Sequence, residues 1–303
     1  MFRLSIIFLF TFLYAITPKE YQQKLGVGVD VNWVLFKKIK NEFKLSDIDA
    51  FKKRGFDSVR IRFDNNVDLK LLDKIIKRCN QVHLIPVLAY SGKNFRLHPN
   101  RESEKKALNI WTKIAKRYKN YKNTLSYDLL IEPNKAIKKH NDLLNDFYKK
   151  CVKRIRKIDK DKIIFLSPNH ISNPYYLNKL YLPKNRKNIM IQWHFYAAGP
   201  KNALNEKIKN DIVKKIAYAK KWCEKHKLFS WVGAWMPGNY NHGNTVGIKD
   251  QIKFSRFLSC ELRKNNIPYA VNAGAKFYDY KTHTWIEKYK NVVDTFLNPN
   301  CKG

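Results

Sequence analysis

The stretch Tyr127-Asp128-Leu129-Leu130-Ile131-Glu132-Pro133-Asn134 sets a carboxylate, Glu132, directly after a run of apolar residues. Such a run reads as a buried strand, so Glu132 is expected at its carboxyl end. A glutamate in a partly desolvated pocket has the chemistry of a general acid, because burial disfavours the anion and lets the group carry a proton near neutral pH. In a chain that winds strands and helices into a barrel, the carboxyl ends of the strands are where catalytic side chains gather.

The elements that must position Glu132 recur along the whole chain. Candidate strands span residues 26–33, 58–63, 82–90, 125–132, 162–167, 188–196, 229–235 and 268–272, each short and rich in β-branched or aromatic residues. Between them lie segments with helical spacing, such as Leu71, Leu72, Ile75, Ile76 and Cys79, or Leu143, Leu144, Phe147, Cys151, Val152 and Ile155. Ser46, with Asp49 three residues on, reads as a helix cap, and Gly55 as the end of that helix.

Strands that are almost continuously apolar are buried on both faces, which requires parallel pairing and helical crossovers. About eight such units predict an α/β fold of the (β/α)8 TIM barrel type. An open doubly wound sheet would carry a Gly-rich phosphate loop after its first strand, whereas Gly26-Val27-Gly28 lies inside that strand. Polar loops at 133–140 and 199–209 fall on the strand-end side, where barrel sites are built.

No linker, internal repeat or low-complexity tract divides the chain, so residues 16–303 are expected to form one domain, as a monomer. Residues 1–15 carry one early positive charge, Arg3, then an apolar run and the small residue Ala15, the pattern of a secretory signal peptide. The run is shorter than the roughly 20 residues of a membrane span. Secretion or export to a periplasm follows, with no integral span after cleavage; an uncleaved anchor is the alternative. Of five cysteines, Cys79, Cys151, Cys223 and Cys260 sit at apolar helical positions and read as packing groups, while Cys301 in the tail leaves room for one disulfide. No Cys/His spacing suits a metal, and no cofactor is expected.

Sixty Lys and Arg residues against 25 Asp and Glu give a net charge of +35. The cations are spread along almost every helix with no recognisable nucleic-acid module, so they read as solvated helix faces rather than as a specific nucleic-acid surface. A basic shell does favour acidic partners, acidic polysaccharide among them.

Four segments in order on the expected strands, Gly55-Phe56-Asp57-Ser58-Val59-Arg60-Ile61-Arg62, Leu130-Ile131-Glu132-Pro133-Asn134, Trp193-His194-Phe195-Tyr196 and Val232-Gly233-Ala234-Trp235, make the chain resemble glycoside hydrolase family 5. The resemblance covers most of residues 16–303. It implies a cellulase-like barrel that hydrolyses O-glycosidic bonds of a β-linked oligo- or polysaccharide, with Glu132 as general acid/base. It further implies that Arg60 supports the acidic centre and that His194 and Tyr196 lie near the sugar; Trp235, an aromatic near a strand end, is a candidate substrate-binding residue by its place and type. Trp33, Trp193, Trp231 and Tyr240 are further candidates for a sugar platform.

The pattern breaks at several places. Ile131 stands where the family has Asn before its acid, and Ala234 stands where the family has its nucleophilic Glu. A third-strand His and an eighth-strand Trp are also missing. Without a carboxylate at Ala234 no covalent glycosyl ester forms there. Two readings follow: Asp64, just past the second strand, or Asp30 on the first, acts as second carboxylate; or the barrel binds glycan without cleaving it. A less favoured class is a basic envelope protein whose partner is an anionic polymer.

Overall fold

Eight parallel strands close on themselves in chain order: β1 (Val27–Val31), β2 (Ser58–Phe63), β3 (Ile85–Tyr90), β4 (Ser126–Asp128), β5 (Ile164–Leu166), β6 (Ile189–His194), β7 (Phe229–Trp235) and β8 (Tyr269–Val271). The last strand pairs with the first, so the barrel has no open edge. This computed structural model describes residues 16–121, 125–196 and 199–301, and the expected signal peptide, residues 1–15, lies outside them. The fold is the (β/α)8 barrel.

Helices fill the crossovers. α1 (Pro18–Leu25) precedes the barrel; α2 (Lys37–Glu42) and α3 (Leu45–Arg54) follow β1; α4 (Leu69–Gln81) follows β2; α5 (Lys93–Leu97) and α6 (Arg101–Tyr118) follow β3. α7 (Asn141–Ile158) follows β4, α9 (Glu206–His226) follows β6, α10 (Ile248–Lys264) follows β7 and α11 (Lys290–Leu297) ends the ring. The β5–β6 connection departs from the pattern: it holds only the short turns α8 (Asn169–Ser172) and Pro174–Lys179. A two-stranded hairpin, β9 (Tyr278–Asp279) with β10 (Thr284–Trp285), lies between β8 and α11.

Apolar side chains form two layers. The larger packs strands against helices, for example Ile61, Phe63, Leu72, Ile75 and Trp111. The smaller fills the lower barrel interior with Val87, Phe165, Met190 and Trp231, and α1 closes it from below with Tyr21 and Leu25. α1 forms because Thr17 and Glu20 make a reciprocal cap, with Pro18 in the first turn. It is pinned to the interior by the Tyr21 hydroxyl, 2.8 Å from Ser126 Oγ. Full burial of a side chain such as Leu25 contributes roughly 1.5–3 kcal/mol.

Two local expectations are corrected. The cap of α3 is Lys44 with Asp47, whose carboxylate accepts the Lys44 N–H at 2.8 Å, not Ser46 with Asp49; Gly55 does end the helix in the left-handed region. Cys260, expected as a packing thiol, is bonded to Cys301 and ties α10 to the tail, while Cys79, Cys151 and Cys223 are buried free thiols. Among the described residues no helix is long and apolar enough to cross a membrane.

Candidate active site

The barrel interior above the apolar plug is ionic. Asp30 on β1 stands in register with Arg60 on β2, and Asp128 projects from β4. Arg60 Nε and Nη2 donate to Asp128 Oδ2 at 2.9 and 2.6 Å, and Nη1 to Asp30 Oδ2 at 3.1 Å, with all three side chains fully buried. The guanidinium also lies 5.7 Å from the Trp231 ring centroid. Burial pushes the Asp128 carboxyl up against the pull of Arg60. Arg62, the next inward residue of β2, bonds Asp30 and the Asn272 side chain, the latter at 3.0 Å.

Glu132 lies at the mouth above this cluster. The regular β4 ladder stops at Asp128, yet Ile131 still donates to the Tyr90 carbonyl at 3.0 Å, so the apolar run carries the chain to the rim. There Glu132 turns into the left-handed region with φ 47°. Arg96 on α5 fixes the turn: its Nη1 donates to Asn134 Oδ1 at 2.8 Å and its Nε to the Ser91 carbonyl at 2.7 Å. Left-handed backbone also occurs at Lys135, His170, Ile171, Ser172 and Tyr196. Such conformations cost roughly 1–3 kcal/mol each and cluster at functional sites.

Glu132 Oε1 lies 3.1 Å from His194 Nδ1. Its side chain keeps 23% of its surface exposed, whereas His194 keeps 2%. Burial raises the Glu132 pKa, but the hydrogen bond and charge of His194, then the positive charges of Arg62 and Arg60, outweigh it and hold the carboxyl below the usual range. Burial, with the like charge of Arg60, lowers His194 despite the neighbouring Glu132. His194 Nδ1 thus faces the carboxylate oxygen directly, the geometry in which the two groups share a proton. The raised pKa expected for a general acid is not what Glu132 has; its pKa is lowered.

His194 reaches the mouth through a register shift between Trp193 and His194, which sets it opposite Ala234 of β7. Gly233 permits the packing: a Cβ there would lie 2.3 Å from Gln192 Nε2. The structure thus brings Glu132, His194 and Arg60 into one electrostatic cluster. It turns Tyr196 toward the helix layer, with its hydroxyl 2.9 Å from Asp211 Oδ2 on α9. Trp235 is fully buried among Phe254, Tyr269 and Phe296. Asp64 ties loops together at the rim, accepting the Asn65 and Lys93 N–H groups at 2.8 and 3.0 Å.

Trp33, Trp193 and Trp231 are also fully buried, and Tyr240 is tied to Gln251. Aromatic surface comes instead from residues the sequence did not single out. Beyond β5 the His170 ring stacks on Tyr176 at 3.7 Å, and Tyr175 is 41% exposed. The Ile171 N–H, in the same turn, donates to the Pro133 carbonyl at 2.9 Å, which sets this turn beside Glu132. Arg96 was likewise missed, since it lies in a polar segment without periodicity.

Residues 27–273 match the family described as Cellulase (glycosyl hydrolase family 5). Endoglucanase C of Acetivibrio thermocellus and endoglucanase C307 of Clostridium sp. strain F1 are each 27% identical over 172 residues, covering 50% of this chain and 49% of the relative. The chain spans about half the length of these curated relatives. The fold is similar to endoglucanase Cel5A of Thermotoga maritima, with a TM-score of 0.80 at 21% identity over 92% of this chain and all of that one. It is also similar to cellulose synthase subunit Z of Clostridioides difficile, with a TM-score of 0.74 at 22% identity over 89% of this chain and 99% of that one.

Proposed function

The chain belongs to glycosyl hydrolase family 5, and from that membership and the Glu132–His194 pair we propose that it hydrolyses β-linked glycans at the barrel mouth. The observation that carries the reading is the 3.1 Å contact of His194 Nδ1 with Glu132 Oε1, a carboxylate that is partly open to solvent. Endoglucanases among the relatives make β-glucan the first substrate class. The turn holding His170, Tyr175 and Tyr176 supplies a platform for sugar rings.

With Ala234 on β7 the reaction is a single displacement. Glu132 gives its proton to the glycosidic oxygen, and water attacks the anomeric carbon from the opposite face, losing its proton to Asp64. Asp30 and Asp128 do not serve, because both are fully buried and held by Arg60. The protein works outside the cytoplasm, a reading supported by the apolar run before Ala15 and by the Cys260–Cys301 disulfide, which an oxidising compartment sustains.

Ala234 favours a second reading, a barrel that holds glycan without turnover. Anomeric proton NMR of the first product from β-glucan and β-mannan oligosaccharides separates the two. Inverted product, lost in Asp64→Asn, supports single displacement, and retained product contradicts it. Saturable binding without new reducing ends establishes the second reading.

A further inference from the structure

The short β5–β6 connection has a consequence at the opposite end of the barrel. With no long crossover helix after β5, the C-terminal flank of α7 faces the irregular segment 180–188, and a groove of about 530 Å³ opens between them. Crossover helices run antiparallel to the strands, so this groove lies toward the strand amino ends, away from Glu132.

Its lining is cationic. Lys149, Lys153 and Arg156 lie four and three residues apart on one face of α7, Lys160 follows just past its end, and Lys187 stands across the groove. No carboxylate is among the lining residues. Lys187 pairs with Asp161 at 2.9 Å, whereas among the described residues Lys149, Lys153 and Lys160 are exposed and make no ion pair. Arg156 braces the two walls, donating to the Lys162 and Lys187 carbonyls at 2.7 and 3.0 Å. The half-buried Tyr181 ring joins the lining beside buried Val152 and Pro183, giving the groove an apolar part as well as a charged one.

Cations in the last turn complement the helix dipole, but Lys149 and Lys153, one turn apart and further in, repel each other without a paired carboxylate. A concave cationic wall concentrates anions, and an aromatic ring beside it suits the apolar face of a pyranose. A flat anionic membrane would engage the lysines but leave the recessed part of the groove unused. We propose that this groove binds an acidic sugar unit, a pyranose bearing a carboxylate or a phosphate ester, with its ring on Tyr181 and its anion among Lys149, Lys153 and Lys160. The site stands whether or not the mouth cleaves glycan.

Calorimetric titration of the full chain near physiological salt tests it, with trigalacturonate as the carboxylate probe and glucose 6-phosphate as the phosphate probe. Cellotriose, inorganic phosphate and phosphatidylglycerol vesicles are the controls. Saturable binding of at least one acidic sugar is expected, and whichever probe binds identifies the anion. The triple variant Lys149→Ser, Lys153→Ser, Lys160→Ser should weaken that binding by about tenfold or more, while Glu132→Gln leaves it unchanged. Those lysines are exposed, so the variant should keep its thermal transition, and Tyr181→Leu reads the stacking contribution separately. Inorganic phosphate binding as tightly as the sugars, vesicle binding without saturable sugar binding, or full affinity in the triple variant would each overturn the assignment.

Discussion

His194 bonds Glu132 at 3.1 Å and stands in register with Ala234 on the neighbouring strand, so the imidazole has a carboxylate on one side and an uncharged residue across the ladder. A second anion would push the pKa of Glu132 up. Here the hydrogen bond and charge of His194, with the charges of Arg62 and Arg60, overcome burial and keep Glu132 ionised. The site is built to hold an anion and must be supplied with the proton it donates.

That arrangement sets the pH dependence. Above the pKa of a general acid, its protonated fraction falls about tenfold per pH unit. Because the Glu132 pKa is depressed, hydrolysis of β-glucan should increase by that factor for each unit between pH 7 and pH 5, with no plateau. Initial rates of reducing-end release across this range check it; a flat profile near pH 6 would show that Glu132 carries its proton at neutral pH.

A carboxylate placed at position 234 should shift both rate and stereochemistry. In Ala234→Glu the new anion raises the Glu132 pKa and supplies an ester-forming nucleophile, so activity at pH 6 should increase by at least about tenfold. The first product should change from inverted to retained anomer. A folded variant whose product stays inverted would mean that residue 234 does not face the anomeric carbon.

The ionic cluster below the mouth is a stability element as well as an electrostatic one. Arg60→Met leaves Asp30 and Asp128 as buried carboxylates without their shared partner, a loss of about 3–5 kcal/mol. Urea denaturation at pH 7 measures it. A cost under about 1 kcal/mol, the range of surface pairs, would show that water enters the interior and screens the pair.

Much of this architecture is legible in the sequence. Strand β2 was read to the residue, because Ser58–Phe63 is a compact run bounded by turn residues. The run 125–132 was read as one strand although regular pairing covers only Ser126–Asp128, since apolar residues continue through Ile131 after the ladder has thinned. α1 was not read, because Pro18–Leu25 is mostly polar and buries only Tyr21 and Leu25. Within the site, the placement of Glu132 follows from its position after an apolar run, whereas Arg60 is named through the family resemblance. Tyr196 and Trp235 do not, because the register shift at His194 breaks the inward–outward alternation on which the facing of β6 and β7 side chains depends. Nor could spacing show that Trp33, Trp193, Trp231 and Trp235 would all be taken into the core.

The central claim, that Glu132 carries the chemistry, is tested most directly by reducing-end release from β-glucan at pH 5 with the natural chain and Glu132→Gln. Gln keeps the size and the hydrogen bond to His194 but has no proton to give a leaving oxygen. Turnover should fall by about a hundredfold or more while glycan binding persists. Equal turnover by the two proteins would contradict the account.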